Sequence, residues 1–300
     1  MTDIATPRNL TLSRNTKIMS ELGSRLLSGM RESAGIPNEV AFPIEKTLSE
    51  TDHARMTLVL KHAPDLYTEP IGRGIHRPYK VRLRTAEHVG HVDCSRAIFK
   101  TVHCQNETKR YCASVDLRVT GPEREILAYG LDRAMGFNLI PPTVGREIDK
   151  IGFGSVQAWV KQPLFVEWIK KGYDYKQHPE NPWLHRLAAF DFITGQLDRH
   201  SANCILDEKH RVYAIDNGYS FVSKDDRRFF KCNSGKSLIG KRVHPDTREL
   251  VSRVDTRRVS DIMKNRGFQC GEAEGVLKRL DEMRRLEVWG IMGGLWDPKL

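Results

Sequence analysis

The spacing of apolar residues changes period part-way along the chain. Between Tyr67 and Lys100 they fall in short runs, YKVRL at 79–83 and AIFK at 97–100, separated by Gly, Thr, Glu and His. Short apolar runs bounded by turn formers predict a β-meander. After a polar connection at 101–119, TGPEREILAYGLDRAMGF takes up helical spacing, with Leu127, Leu131, Ala134 and Met135 on one stripe. Thr120 followed by Glu123 forms a capping box, Pro122 suits the first turn, and Gly136 ends the helix. NLIPPTV then reads as an extended connector, and GFGSVQAWV as a strand over Ser155–Val160. Leu184, Leu187, Ala188 and Phe192 predict a buried helix from about 183 to 194, while Val276, Leu280, Met283 and Leu286, with Trp289 and Trp296, mark a last helix and its tail.

A β-rich half followed by an α-rich half predicts an α+β chain of two lobes with a cleft between them, joined near Val160–Pro163. The expected division is an N-terminal extension over 1–65, a first lobe over 66–162, and a second lobe with a helical tail over 163–300. Within the extension, 1–14 reads as flexible, and Ile18, Leu22, Leu26 and Met30 recur as one face of an amphipathic helix that packs on the body.

Composition narrows the partners. Of 300 residues 39% are apolar, enough for a real core, and the net charge of +10 favours an anionic partner. The basic residues are spread along the chain and do not interleave with aromatics, which disfavours nucleic acid. No apolar run approaches the roughly 20 residues of a bilayer-spanning helix, and MTDIATPRNLTLSRN lacks a secretory apolar core. A cytoplasmic protein is expected, with peripheral membrane contact as its only route to a bilayer. Six irregularly spaced cysteines without a C-x-x-C pair fit reduced thiols.

The chemistry concentrates in DFITGQLDRHSANCILDEKHRVYAIDNGYSF, 191–221. Asp198 follows the buried helix, Asn203 comes five positions later, ILDEKHRVYAI reads as a hairpin turning at 207–210, and Asp216 follows it. Phosphoryl transfer from ATP needs a carboxylate at the acceptor hydroxyl and oxygen ligands for Mg²⁺ or Mn²⁺. D-x-x-x-x-N is the spacing of a protein-kinase catalytic loop, and Asp216-Asn-Gly stands where that family has Asp-Phe-Gly. Such an enzyme also needs a lysine for the phosphates and a helix glutamate to hold it. Lys100 and Glu125 are the candidates; taken singly they read as a strand-end lysine and a solvated helix charge.

Together E-x-x-A-Y (Glu125, Ala128, Tyr129), IPPTV (140–144), GSVQAWV (154–160), LDRHSAN (197–203) and IDNGYSF (215–221) resemble the atypical kinases of the phosphatidylinositol 3-/4-kinase superfamily. The D-R-H-x-x-N loop is similar to that of lipid kinases, I-D-N-G to the type II phosphatidylinositol 4-kinases, and the layout to Golgi casein kinase-type protein kinases. The resemblance implies a two-lobed protein-kinase-like fold that binds ATP in its cleft. It implies ATP phosphates at Gly72, Arg73, Gly74, Ile75 and Lys100, a Lys100–Glu125 ion pair, and adenine against Gln157, Ala158, Trp159 and Val160. Asp198 is then the catalytic carboxylate and Asn203 and Asp216 are the metal ligands. Arg199 and His200 shape the loop, with help in proton transfer a lesser role for His200. A protein Ser/Thr acceptor is expected first and a phosphoinositide second; an AMP-transferring enzyme or a nucleotide-binding pseudokinase module are the alternatives from other classes.

Two signals are set aside. SGKS at 234–237 lacks the first glycine of a P-loop, since Phe230 occupies that position. His88, His91, Cys94, His103 and Cys104 have zinc-ligand chemistry without zinc-site spacing.

Overall fold

Ser49 opens the first helix of the computed structural model, α1 (Glu50–His62), with a capping box in which Ser49 and Asp52 each accept the other's backbone N–H. The structure describes residues 48–71, 78–102, 119–222, 237–268 and 270–290. The sequence pattern predicts no helix at 50–62, because the buried stripe is narrow. Met56, Leu60 and His53 face inward, whereas Leu58 is 61% exposed.

Six antiparallel strands follow: β1 (Asp65–Pro70), β2 (Tyr79–Leu83), β3 (His88–Val89), β4 (Val92–Thr101), β5 (Thr143–Ile148) and β6 (Gly152–Val160). They form one sheet in the order β1-β2-β4-β6-β5, with β3 paired to β4. The YKVRL run is β2 residue for residue. AIFK is only the end of β4, whose pairing with β6 slips register between Asp93 and Ala97 and so breaks the alternation upstream.

The predicted strand at Ser155 begins earlier, at Gly152. The glycines of GFG look like a turn in sequence, yet Gly154 lies in the strand because only a bare backbone fits there. A Cβ would sit 2.2 Å from the Lys100 carbonyl oxygen and 2.6 Å from the Phe99 ring. Gly154→Ala is therefore expected to destabilise the protein by about 1–3 kcal/mol through overpacking. Thermal unfolding reads this directly, and an unchanged midpoint would contradict the close approach.

The helix α2 (Gly121–Met135) starts at the Thr120–Glu123 capping box and stops at Gly136 in the left-handed region, φ 76°. Leu127, Leu131 and Met135 are buried as the stripe requires, and Ala134 is half-buried. Beyond the sheet come α3 (Phe165–Lys170), α4 (Pro182–Thr194), the hairpin β7 (Cys204–Leu206) and β8 (Val212–Ala214), then α5 (Pro245–Ser252), α6 (Thr256–Asn265) and α7 (Cys270–Arg285).

Among the described residues two hydrophobic cores result. Met56 and Leu60 of α1 pack with Val81, Ala97, Phe99 and Val156 of the sheet. Leu127 and Leu131 of α2 join Phe190, Ile193, Phe221 and Leu280 in the helical half. Separate cores bridged by α2 make this an α+β, two-lobed kinase-like fold. Among the described residues no helix is long and apolar enough to cross a membrane. The expected helix around Ile18–Met30, the stretch 1–14 expected to be flexible, and Trp296 lie outside the described residues.

Candidate functional site

Strand alternation turns Lys100 away from the core that holds Phe99. Its Nζ donates to Glu125 Oε1 at 2.5 Å and to Asp216 Oδ1 at 2.9 Å, so one ammonium ties the sheet, α2 and the segment after β8 together. Glu125 is 2% exposed, which overturns its reading as a solvated helix charge. Burial alone would lower the Lys100 pKa, but the charges of Asp216 and Glu125 outweigh it and hold the amine firmly protonated. A small pocket beside the pair is lined by Lys100, Thr101, Pro122, Glu125, Asp216 and Tyr219.

Asp216 adopts φ 56°, a left-handed conformation that Asp tolerates better than most residues. This bend lets the next residue turn inward. Asn217 is fully buried; its backbone N–H donates to Glu125 Oε2 at 3.0 Å, while its Oδ1 accepts from Arg199 Nη2 at 2.5 Å. The residue standing in the Phe position of Asp-Phe-Gly is thus a polar bridge between α2 and the loop that carries Asp198.

Gly195 ends α4 in the left-handed region, where a Cβ would meet Val222 at 2.7 Å, and the chain turns into the loop. Arg199, 2% exposed, aligns that loop. Its Nε lies 3.1 Å from both oxygens of Asp191, and its Nη1 donates to the carbonyls of Asn203 at 2.8 Å and Ile215 at 2.5 Å. Gln196 joins the two aspartate segments: its Nε2 donates to the Asp216 carbonyl, and its Oε1 accepts from the Asp198 N–H, both at 3.1 Å. Asn203 donates through Nδ2 to the Asp198 carbonyl at 2.8 Å.

The Asp198 side chain remains 49% exposed. Partial burial raises its pKa, the nearby His200 opposes the shift, and Asp216 reinforces it. His200 Nε2 is 3.8 Å from Asp198 Oδ2, and its Nδ1 accepts from the Ala202 N–H, so the ring caps the short 3₁₀ turn at Ser201–Asn203.

The structure brings Lys100, Glu125, Asp198, Asn203 and Asp216 into one connected set. The remaining sequence candidates divide. Gly72, Arg73, Gly74 and Ile75 lie outside the described residues. Gln157 pairs across the sheet with Ile98, on the face that carries Lys100, and donates to Thr143. Ala158 and Val160 instead turn their side chains into the core beneath α1, leaving only their main chain for a ligand. Trp159 lies under the Arg96 guanidinium.

Sequence reasoning missed Asp191, Gln196 and Asn217, which hold the set in place. Asp191 carries the most visible sign, an acid between Phe190 and Phe192 in a helix predicted to be buried. It also missed Arg124, 1% exposed, which donates to the carbonyls of Ser220 and Phe221 and to Glu272 of α7 at 2.9 Å. Of the residues with zinc-ligand chemistry, Cys94 is buried with its thiol pushed up to about 12, and His91 is engaged by Gln162 and Glu208. His103, Cys104 and 223–236 lie outside the described residues.

A lysine on the sheet paired to a helix glutamate, facing a loop with an accessible aspartate, is the arrangement of a kinase-like fold. Comparison with solved structures agrees at the level of fold. A Hydra Fam20 structure determined with sugar superposes with a TM-score of 0.54 at 16% identity, covering 79% of this chain and 89% of that one. The Golgi casein kinase with Mn and ADP bound gives 0.47 at 12% identity, over 79% of this chain and 75% of that one. Protein Rv2133c of Mycobacterium tuberculosis is 27% identical over 125 residues, 32% of this chain and 45% of that protein. The chain thus matches less than half the length of this curated relative. No protein-family model matches the chain.

Proposed function

We propose that the protein is an ATP- and divalent-metal-dependent phosphotransferase, akin to the phosphatidylinositol 3-/4-kinase-like superfamily, whose first acceptor is a protein Ser or Thr hydroxyl. The observation that carries this reading is the Lys100 ammonium held between Glu125 and Asp216 beside an accessible Asp198. Lys100 binds nucleotide phosphate, and Glu125, fixed by Asn217, keeps it in place. Asp198 orients the acceptor hydroxyl and takes its proton.

The donor set fits Mg²⁺ or Mn²⁺. Asp216 offers a carboxylate whose side chain is 34% exposed, and Asn203 commits its amide nitrogen to the Asp198 carbonyl, leaving its oxygen for a cation. Two protein oxygens suit a hard ion that completes its shell with phosphate oxygens and water. Such an ion would neutralise charge on the phosphates.

ATP labelled separately on the α- and γ-phosphates, incubated with metal and with protein or phosphoinositide acceptors, tests the reading. The γ-label on protein is expected. The γ-label on lipid would replace the acceptor, α-label on product would overturn phosphoryl transfer, and no transfer to any acceptor would favour a binding module.

Because burial raises the Asp198 pKa, kcat is expected to rise with pH through a midpoint above that of a free aspartate, about 3.9. The sign follows from the base needing its ionised form. A midpoint at or below that value, in a pH–rate profile taken where the protein is folded, would remove Asp198 from the base role.

A further inference from the structure

We infer that His185 is an acid-sensitive latch, which in its neutral form fastens the segments 240–244 and 287–289 to the helical core and on taking a proton lets both go. The latch stands apart from the Lys100 set and does not depend on the phosphotransfer reading. His185 lies on α4, 2% exposed, and each of its ring nitrogens has a fixed task. Its Nε2 is 2.7 Å from the Pro179 carbonyl oxygen, which only accepts, so Nε2 carries the proton. Its Nδ1 accepts two N–H groups, the Trp289 indole at 2.8 Å and the His244 backbone at 3.1 Å. A donor on one side and an acceptor on the other require a neutral ring.

What Nδ1 holds is the joint between two stretches far apart in sequence. Arg242 and Val288 form a β-bridge. Around it the Val243 N–H donates to the Glu287 carbonyl and the Trp289 N–H to the Lys241 carbonyl, both at 2.8 Å, and the Gly240 N–H to the Trp289 carbonyl at 2.6 Å. Trp289, 2% exposed, belongs to one side of this joint, and His244, the N-cap of α5, ends the other. A proton on Nδ1 turns the shared acceptor into a donor that faces two donors. Both bonds are then lost, and a charge is left in a buried site.

The surrounding charges do not favour an imidazolium. Burial pushes the His185 pKa down to about 4, with the Pro179 carbonyl opposing the shift and His244, its ring centre 5.7 Å away, reinforcing it. Burial also lowers the His244 pKa, while Asp246 and Arg186, ion-paired at 2.6 Å, act on it in opposite senses. Glu180, beside Pro179, is drawn to His178 at 3.7 Å, and Glu287, in the joint, to Arg248 at 3.9 Å. A released ring titrates near its ordinary value, about 6.5. The neutral ring therefore keeps the joint closed above that pH, and its hold weakens as pH falls toward about 4. Within that window the opening constant rises about tenfold for each pH unit.

Amide hydrogen exchange of the full chain, followed by NMR from neutral pH down to about pH 4.5 and corrected for intrinsic rates, tests the latch. Protection of the Val243 and Trp289 amides is expected to fall about tenfold per pH unit below about 6.5, while the β4 amides stay better protected throughout. His185→Gln, which keeps a donor and an acceptor but takes no proton, should remove this slope. His244→Asn, a good N-cap that takes no proton, should leave it in place. If His185→Gln does not fold, the imidazole nitrogen spectrum of the parent decides: a bare Nδ1 beside a protonated Nε2 at neutral pH is expected, and a doubly protonated ring overturns the latch. The inference also fails if the parent's protection does not change with pH, or if the joint and β4 exchange alike. It fails equally if the slope survives His185→Gln or vanishes in His244→Asn.

Discussion

Asp198→Ala is expected to keep metal-dependent nucleotide binding and to lower transfer by about 10²–10⁴-fold, the usual contribution of a positioned base. Asp216→Ala is expected to lose the metal-dependent binding itself. The difference follows from where the two carboxylates sit. Asp216 contacts Lys100, the proposed phosphate ligand, at 2.9 Å. The Asp198 side chain makes no contact with Lys100 or Glu125 among the described residues, and its loop is held chiefly through its backbone by Gln196 and Asn203, the carboxylate adding only a long contact to Asn203 Nδ2 at 3.4 Å. Removing the Asp198 carboxylate therefore spares both the loop and the Lys100 set. Nucleotide titration with and without metal, beside γ-phosphate transfer, separates the two variants. Full activity in both, or loss of binding in Asp198→Ala alone, would overturn the assignment of roles.

A larger effect on stability is expected at a residue that touches no substrate. Asp191→Ala removes the carboxylate paired to the buried Arg199 guanidinium, whose side chain is 1% exposed. Breaking a buried ion pair from one side typically costs about 3–5 kcal/mol, because the remaining charge is stranded in low dielectric. Arg199 also organises the carbonyls of Asn203 and Ile215 and the Asn217 amide, so the loop should loosen as the fold weakens. Urea unfolding gives the magnitude. Asp191→Asn, which keeps acceptor oxygen and shape, should cost less, and equal stability of Asp191→Ala and the parent would remove the pair from the scaffold.

How much of this was legible follows from the range of each interaction. Asp198, Asn203 and Asp216 lie within one stretch whose order carries the chemistry, and the α2 boundaries lie in a local capping box and a C-terminal glycine. Lys100 and Glu125 could be named only by their order relative to that stretch, since a strand-end lysine and a helix glutamate look ordinary alone. Arg124 could not be found in this way: its acceptors at Ser220, Phe221 and Glu272 are brought to it only by folding. Gln196 and Asn217 show no sign of their role in sequence, because the Asp216 carbonyl, Arg199 and Glu125 reach them only in the fold. The helix α1 escaped because two apolar residues and one histidine bury most of its inner face.

Arg124 ties the Lys100–Glu125 pair to sequence far along the chain. The residue beside Glu125 is anchored by a carboxylate on the last described helix, so the rear of the Lys100–Glu125–Asp216 set is supported by sequence far beyond Asp216. A shortened protein that stops after Phe221 would retain every motif residue and yet strand a guanidinium behind the helix that aims Lys100. A piece that keeps this guanidinium paired therefore has to reach past Glu272.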